Sequence, residues 1–196
     1  MALVLSSALT LFLVLDPLGN IPIFLTALRE VGPGRRQLVL ARELCIALLI
    51  MLAFLIAGRQ LLGVLHVTQP ALASAGGLIL MLIAIRMMFP TPANSLTERT
   101  DSEPFIVPLA VPYTAGPSAL ATEIILANQY PDQMPRLLAA TALAWLPCAV
   151  ILFFSGYLNR WLGERFLTAV ERLMGMILVI ISTQMLLGGL RDFFGL

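Results

Sequence analysis

Lysine is absent from this chain, histidine occurs once and cysteine twice. The formal net charge is only +1, and its arginines are spread thinly along the sequence, so there is no electrostatic footprint of a nucleic-acid binder. Cys45, Cys148 and His66 are too few for a zinc site or a disulfide framework. Both cysteines lie in apolar runs and are expected to be small core residues. There is no G-x-S-x-G, no H-E-x-x-H and no nucleotide-binding glycine loop, which points to a non-enzyme with neither cofactor nor metal. Charge of either sign is scarce: 12% of the 196 residues are charged, about half the share in a water-soluble domain.

What fills the sequence instead is hydrocarbon. Hydrophobic residues make up 59% of the chain, and the mean hydropathy is +0.94. That is the composition of an integral membrane protein in contact with the lipid bilayer. At 21.3 kDa about six spans of ~20 residues fit, and a separate soluble domain does not, so residues 1–196 are read as one transmembrane domain. Met1-Ala2-Leu3-Val4 lacks the basic region of a signal peptide, and the first apolar run is kept as a span.

The long apolar runs are Leu3 to Leu28, Leu38 to Leu62, Thr68 to Phe89, Phe105 to Ala127, Arg136 to Leu158 and Thr168 to Leu190. The expected fold is therefore all-α, with six transmembrane helices. A polar linker, residues 90–104, separates repeat one (1–89) from repeat two (105–196). Arginines near span ends assign orientation. The loops after spans one, three and five hold Arg29, Arg35, Arg36, Arg42, Arg86, Arg99, Arg160, Arg165 and Arg172; the other side holds Arg59, Arg136 and Arg191. This asymmetry puts both termini outside the cytoplasm, in a multi-pass protein of the inner membrane.

The halves resemble each other. A shift of 98 lays Gly77 to Ile83 on Gly175 to Ile181, and Met87 on Met185. A shift of 100 lays Asp16-Pro17 on Gly116-Pro117. Because each half has an odd number of spans, the second enters from the opposite side, which predicts a 3+3 inverted repeat.

Spans one and four are interrupted, by Asp16-Pro17-Leu18-Gly19-Asn20-Ile21-Pro22 and by Pro108 through Pro112, Tyr113, Thr114, Gly116 and Pro117 to Ser118. Freed backbone groups in hydrocarbon cost several kcal/mol each, so such breaks survive only against protein or a water-lined cavity. The helices are expected to restart at Asn20 or Ile21, before Pro22, and at Gly116, before Pro117. Their free N–H groups would form positive poles for an anionic group such as a carboxylate. Thirteen residues beyond Leu3, Asp16 comes out ~20 Å into a ~30 Å core, which marks it as a site residue that can also cap the break. Glu123, counted from Phe105, comes out near the far interface and reads as a rim carboxylate. Arg42, Glu43 and Arg86 read as anchors near span ends, with Glu43 also able to gate. Ser182, Thr183 and Gln184 can line a cavity or bond between helices, His66 is expected to be solvated, and Trp145 with Pro147 to mark a packing kink in span five.

DPLGNIP with the following IFLTAL, together with PLAVPYTAGPSA, resembles the MarC family of multi-pass membrane proteins, and the resemblance covers essentially the whole chain. Members look distantly similar to LysE-type amino-acid exporters, and some are described as transporters of small neutral amino acids. Carried over, the resemblance points to Asp16, Pro17, Gly19, Asn20 and Pro22, then Pro108, Pro112, Gly116 and Pro117. Tyr113-Thr114 departs from the apolar residues expected there, which bears on substrate choice.

The expected function is a secondary transporter or exporter of small zwitterions, neutral amino acids first. The substrate would be held by Asp16, Gly19, Asn20, Ile21, Tyr113, Thr114, Gly116 and Ser118, with a coupling proton or sodium ion at Asp16, Glu123 or Glu43. The alternative is a lipid-headgroup or lipid-carrier protein without solute transport. Assembly with further copies of the chain is left open.

Overall fold

The structure is a computed structural model that describes residues 1–28, 31–32, 34–89, 110 and 114–195. Every regular element among them is helical. In chain order these are α1 (Ala2–Leu15), α2 (Pro17–Ala27), α3 (Arg36–Leu65), α4 (Gln69–Met88) and α5 (Pro117–Gln129). A 3-10 turn (Pro131–Gln133) follows, then α6 (Met134–Phe153), α7 (Ser155–Leu162) and α8 (Glu164–Phe194).

Five stretches of the described residues are long and apolar enough to cross a bilayer: Ala2–Leu25, Arg36–Val64, Gln69–Met88, Pro131–Phe153 and Arg165–Phe194. Of the expected fourth span, Phe105 to Ala127, the described part is α5, whose 13 residues reach ~20 Å, short of a ~30 Å core. Residues 105–109 and 111–113, on the approach to α5, lie outside the described residues, as does the linker 90–104. Span five ends earlier than expected, at Phe153. The residues after it form α7, whose Tyr157 and Trp161 are exposed, as suits a membrane–water boundary. Pro147 lies within α6 without ending it, and the Trp145 indole N–H donates to the Leu44 carbonyl of α3 at 3.2 Å.

The bundle hides small and polar residues and shows lipid large apolar ones. Leu5, Leu9, Ile56, Leu82, Ile180 and Leu187 are exposed, whereas Ala47, Ala84, Ala119, Ala140 and Ala144 are sealed inside. Small interfacial residues let helix backbones approach closely where lipid and protein are equally apolar. The most extensive contact joins α4 and α8, antiparallel to each other. A methyl on Gly77 would lie 2.7 Å from the Leu186 nitrogen and 2.9 Å from the Ser182 carbonyl. One on Gly175 would lie 3.1 Å from the Ala84 carbonyl, beside Met88. Around this pair α1 and α2 pack on α6, α3 and α4 pack on α5, and α2 packs on α8.

Cys148 is buried as expected, but Cys45 is exposed on α3. α3 is apolar all round, so its sequence does not tell which face turns inward. Ser182 and Thr183 both donate to the Val179 carbonyl of their own helix, at 2.9 and 2.7 Å; Ser182 also reaches between helices, 3.5 Å from Met81 Sδ of α4, and Gln184 is exposed. His66 is exposed and ends α3 in the left-handed region at φ 53°.

Candidate functional site: two helix breaks and their carboxylates

The first break is one residue long. Asp16 stands at φ 42°, ψ 63°, where its N–H still closes α1 on the Phe12 carbonyl at 3.2 Å. Aspartate tolerates this left-handed conformation better than most residues. The same residue opens α2: Pro17 takes the first helical position, and the Gly19 N–H donates to Asp16 Oδ1 at 3.2 Å. Asp16 Oδ2 has no hydrogen-bond partner among the described residues.

The restart therefore lies at Pro17, not at Asn20 or Ile21 as expected. Asp-Pro supplies a cap and a first-turn proline together, so the chain resumes its helix at once. Pro22 falls inside α2 instead of starting it. Asn20 acts across the break instead, its side-chain amide donating at 2.9 Å to the Leu15 carbonyl, one of the acceptors left over at the end of α1. Ile21 is fully buried and packs in the core. Gly19 leaves room for the cap, since a β-carbon there would displace the Asp16 carboxyl group and the Met87 methyl.

The second break is built differently. Gly116 precedes α5 in extended conformation, φ −77° and ψ 163°, and Pro117 follows at the first helical position, as expected. Gly116, at the N-cap position, has no side chain with which to cap α5. Ser118 and Thr114 are 4% and 1% exposed, so the start of α5 is enclosed, whereas the Pro117 ring faces outward. Thr122 returns its hydroxyl to the Ser118 carbonyl at 2.8 Å. Pro108, Pro112 and Tyr113 lie outside the described residues.

The two interrupted segments meet: α1 packs on α5, and Gly76 of α4 lies against Ser118 and Ala121. Asp16, 5% exposed, also has Glu171 of α8 and Cys148 of α6 within electrostatic reach.

Two further carboxylates are more deeply enclosed than expected. Glu123 is fully buried, and the Thr141 hydroxyl of α6 donates to it, 2.9 Å from Oε1 and 3.1 Å from Oε2. Thr141 falls near the middle of the stretch Pro131–Phe153, so Glu123 is not a rim residue. The count from Phe105 presumed an unbroken helix, whereas α5 starts at Pro117 and Glu123 sits in its second turn. Glu43 is also fully buried and so is not an anchor. Its Oε1 accepts from Arg42 Nη2 at 2.9 Å and Nε at 3.1 Å, while Oε2 has no partner.

Sequence reasoning missed Thr141 and Glu171. A signal for Thr141 existed, because the repeat shift of 98 lays Glu43 on Thr141. Glu171 sits one residue from Arg172 on α8 and carries no such mark.

Residues 1–194 match the family described as MarC family integral membrane protein. Over 96% of both chains the sequence is 49% identical to the UPF0056 inner membrane protein YhgN of Escherichia coli K12. It is 43% identical to a UPF0056 membrane protein of Buchnera aphidicola from Schizaphis graminum, over 97% of each chain. A UPF0056 membrane protein of Chlamydia muridarum is 30% identical over 96% of this chain and 93% of its own. No solved structure matches the chain. A family match spanning nearly every residue, on a bundle of apolar helices, identifies the chain as a member of the MarC family of integral membrane proteins.

Proposed function

We propose that the protein is a secondary transporter of small zwitterions, neutral amino acids first, and not an enzyme. One observation carries this reading. Two carboxylates, Asp16 and Glu123, lie deep in the bundle with no basic partner among the described residues, one at each of two interrupted helices that pack together. Unpaired acids at membrane depth are expensive and by default mark a substrate or ion path. A helix start whose cap residue is glycine, on a helix that packs against the one ending at a carboxylate with a free oxygen, supplies both signs that a zwitterion requires, without a full positive charge in hydrocarbon.

The substrate carboxylate is assigned to the start of α5 at Gly116 to Ser118. Asp16 Oδ2 is assigned to the substrate ammonium. Gly19, Asn20 and Ile21 now support Asp16 instead of holding the anion, since the pole of α2 already faces Asp16 Oδ1. The lipid-headgroup alternative is weaker, because phosphate recruits arginine and neither Asp16 nor Ser118 has one bonded to it.

The architecture belongs to the same proposal: a 3+3 inverted repeat in the inner membrane, with both termini outside the cytoplasm. Gly77 meets residues 182 and 186, and Gly175 meets 84 and 88. Adding 98 to 77, 84 and 88 gives 175, 182 and 186, so each contact is the image of the other under exchange of the halves. Exchange likewise turns the packing of α2 on α6 into that of α5 on α3, and α2 on α8 into α5 on α4.

The test is counterflow in proteoliposomes loaded with labelled amino acids, sugars or lipid headgroups. Neutral amino acids should exchange, and Asp16→Asn should lower that exchange at least tenfold while the protein stays folded, because asparagine can still cap α2. Full-rate exchange by Asp16→Asn, or exchange of headgroups alone, would overturn the assignment.

A further inference from the structure

We propose that Glu123, held by Thr141, is the proton-carrying group of the protein, and that Asp16 is left to cap α2 and face the substrate. The proposal deepens the transport reading and rests on it for the coupling role alone.

The geometry around Glu123 suits a group that alternates between acid and carboxylate. Both of its oxygens lie within hydrogen-bond distance of one hydroxyl, at 2.9 and 3.1 Å. A threonine hydroxyl has one hydrogen to give, so a bare carboxylate fills one of those contacts well. When Glu123 carries a proton, its own O–H donates to Thr141 Oγ1 while the Thr141 O–H donates to the other carboxyl oxygen, and both contacts become hydrogen bonds. The proton adds to one Glu123 oxygen and leaves from it; no other bond changes.

The surroundings select a proton over a metal cation. Hard cations gather about six oxygen ligands, whereas the described partner of Glu123 is a single hydroxyl. The described packing of α5 beside Glu123 is apolar: Ile124 lies on Gly58 of α3, Ala121 on Gly76 of α4, and Leu55, Ala127 and Leu137 form a sealed cluster one turn further on.

The ionisable groups on the elements packed against α5 are engaged elsewhere or turned away. Asp16, at the end of α1, accepts from Gly19. On α3, Arg42 and Glu43 bond each other, while Arg36, Cys45, Arg59 and His66 at its end make no hydrogen bond or ion pair with Glu123. Arg86 of α4 and Arg136 of α6 are exposed, and Arg136 bonds Gln133. Cys148 of α6 lies two turns beyond Thr141. Asp16, by contrast, has one oxygen committed to the Gly19 N–H and the other assigned to the substrate ammonium.

Infrared spectroscopy of the protein in liposomes tests proton binding without any substrate. A protonated-carboxyl band that titrates with pH should be present, should vanish in Glu123→Gln, should persist in Asp16→Asn and should move in Thr141→Val. A titrating band unchanged by Glu123→Gln, or no such band, would overturn the proposal. Should Glu123→Gln fail to fold, an unmoved band in Thr141→Val overturns it equally. In proteoliposomes under an imposed pH gradient, Thr141→Val should shift the pH midpoint of amino-acid uptake by at least half a unit, and Thr141→Ser should restore it; an unshifted midpoint removes the coupling role. Absence of uptake in the unmutated protein would sink the transport reading, while the infrared result still judges Glu123.

Discussion

Asp16-Pro17 and Gly116-Pro117 stand at matching places in the two halves, yet they end in opposite electrostatic states. At the first break the residue before proline is an acid that turns back onto its own helix and binds the Gly19 N–H. At the second it is a glycine, which has no side chain to offer the start of α5. One difference in side chain thus separates a break whose cap residue carries negative charge from one whose cap residue carries none. Two breaks of the same kind would suit an ion of one sign; two of opposite kind suit a molecule that has both.

The largest expected effect comes from crowding the first break. Gly19→Ala would push a β-carbon against the Asp16 carboxyl group and the Met87 methyl; the methionine can swing aside but the carboxyl must leave the Gly19 N–H, so the fold should lose about 1–2 kcal/mol. A thermal melt in detergent measures this, and an unchanged midpoint would mean that the Asp16 cap is not held as described.

Copying the first break onto the second should act on binding and not on folding. Gly116→Asp places a capping carboxylate at the start of α5; the cap is worth about 0.3 kcal/mol over glycine and is offset by the cost of enclosing the acid, so the melt should move little. The substitution should weaken amino-acid binding about tenfold by occupying the pole. If affinity holds, the substrate carboxylate does not lie there. A smaller loss is expected from Asn20→Ala, which strands the Leu15 carbonyl: about 1 kcal/mol in the same melt, with affinity within a factor of three. A tenfold affinity loss would make Asn20 a substrate contact after all.

Much of this arrangement was legible in the sequence. The scarcity of charge fixes a membrane protein, and the span Thr68 to Phe89 corresponds closely to α4, while Thr168 to Leu190 lies within α8, which runs four residues further at each end. Proline-rich interruptions located both breaks, and the depth of Asp16 marked it. The restart at Pro17 was misplaced because two prolines competed for the first helical position; the acid before Pro17, a natural cap, should have decided between them. Glu123 was misplaced because its depth was counted along a helix that does not begin where the apolar run begins. Cys45 and Glu43 escaped for a common reason: α3 is apolar on nearly every face, so no periodicity marks its inner side.

The central claim is that one zwitterion bridges the two breaks, its carboxylate on α5 and its ammonium at Asp16. Competition binding against labelled alanine, with unlabelled alanine, alaninamide and propionate as competitors, tests it most directly. Alanine should displace the label at least tenfold better than alaninamide, which lacks the carboxylate, and than propionate, which lacks the ammonium. In Asp16→Asn the advantage over propionate should shrink to within about threefold while the advantage over alaninamide persists. Equal displacement by propionate and alanine in the unmutated protein would contradict the account.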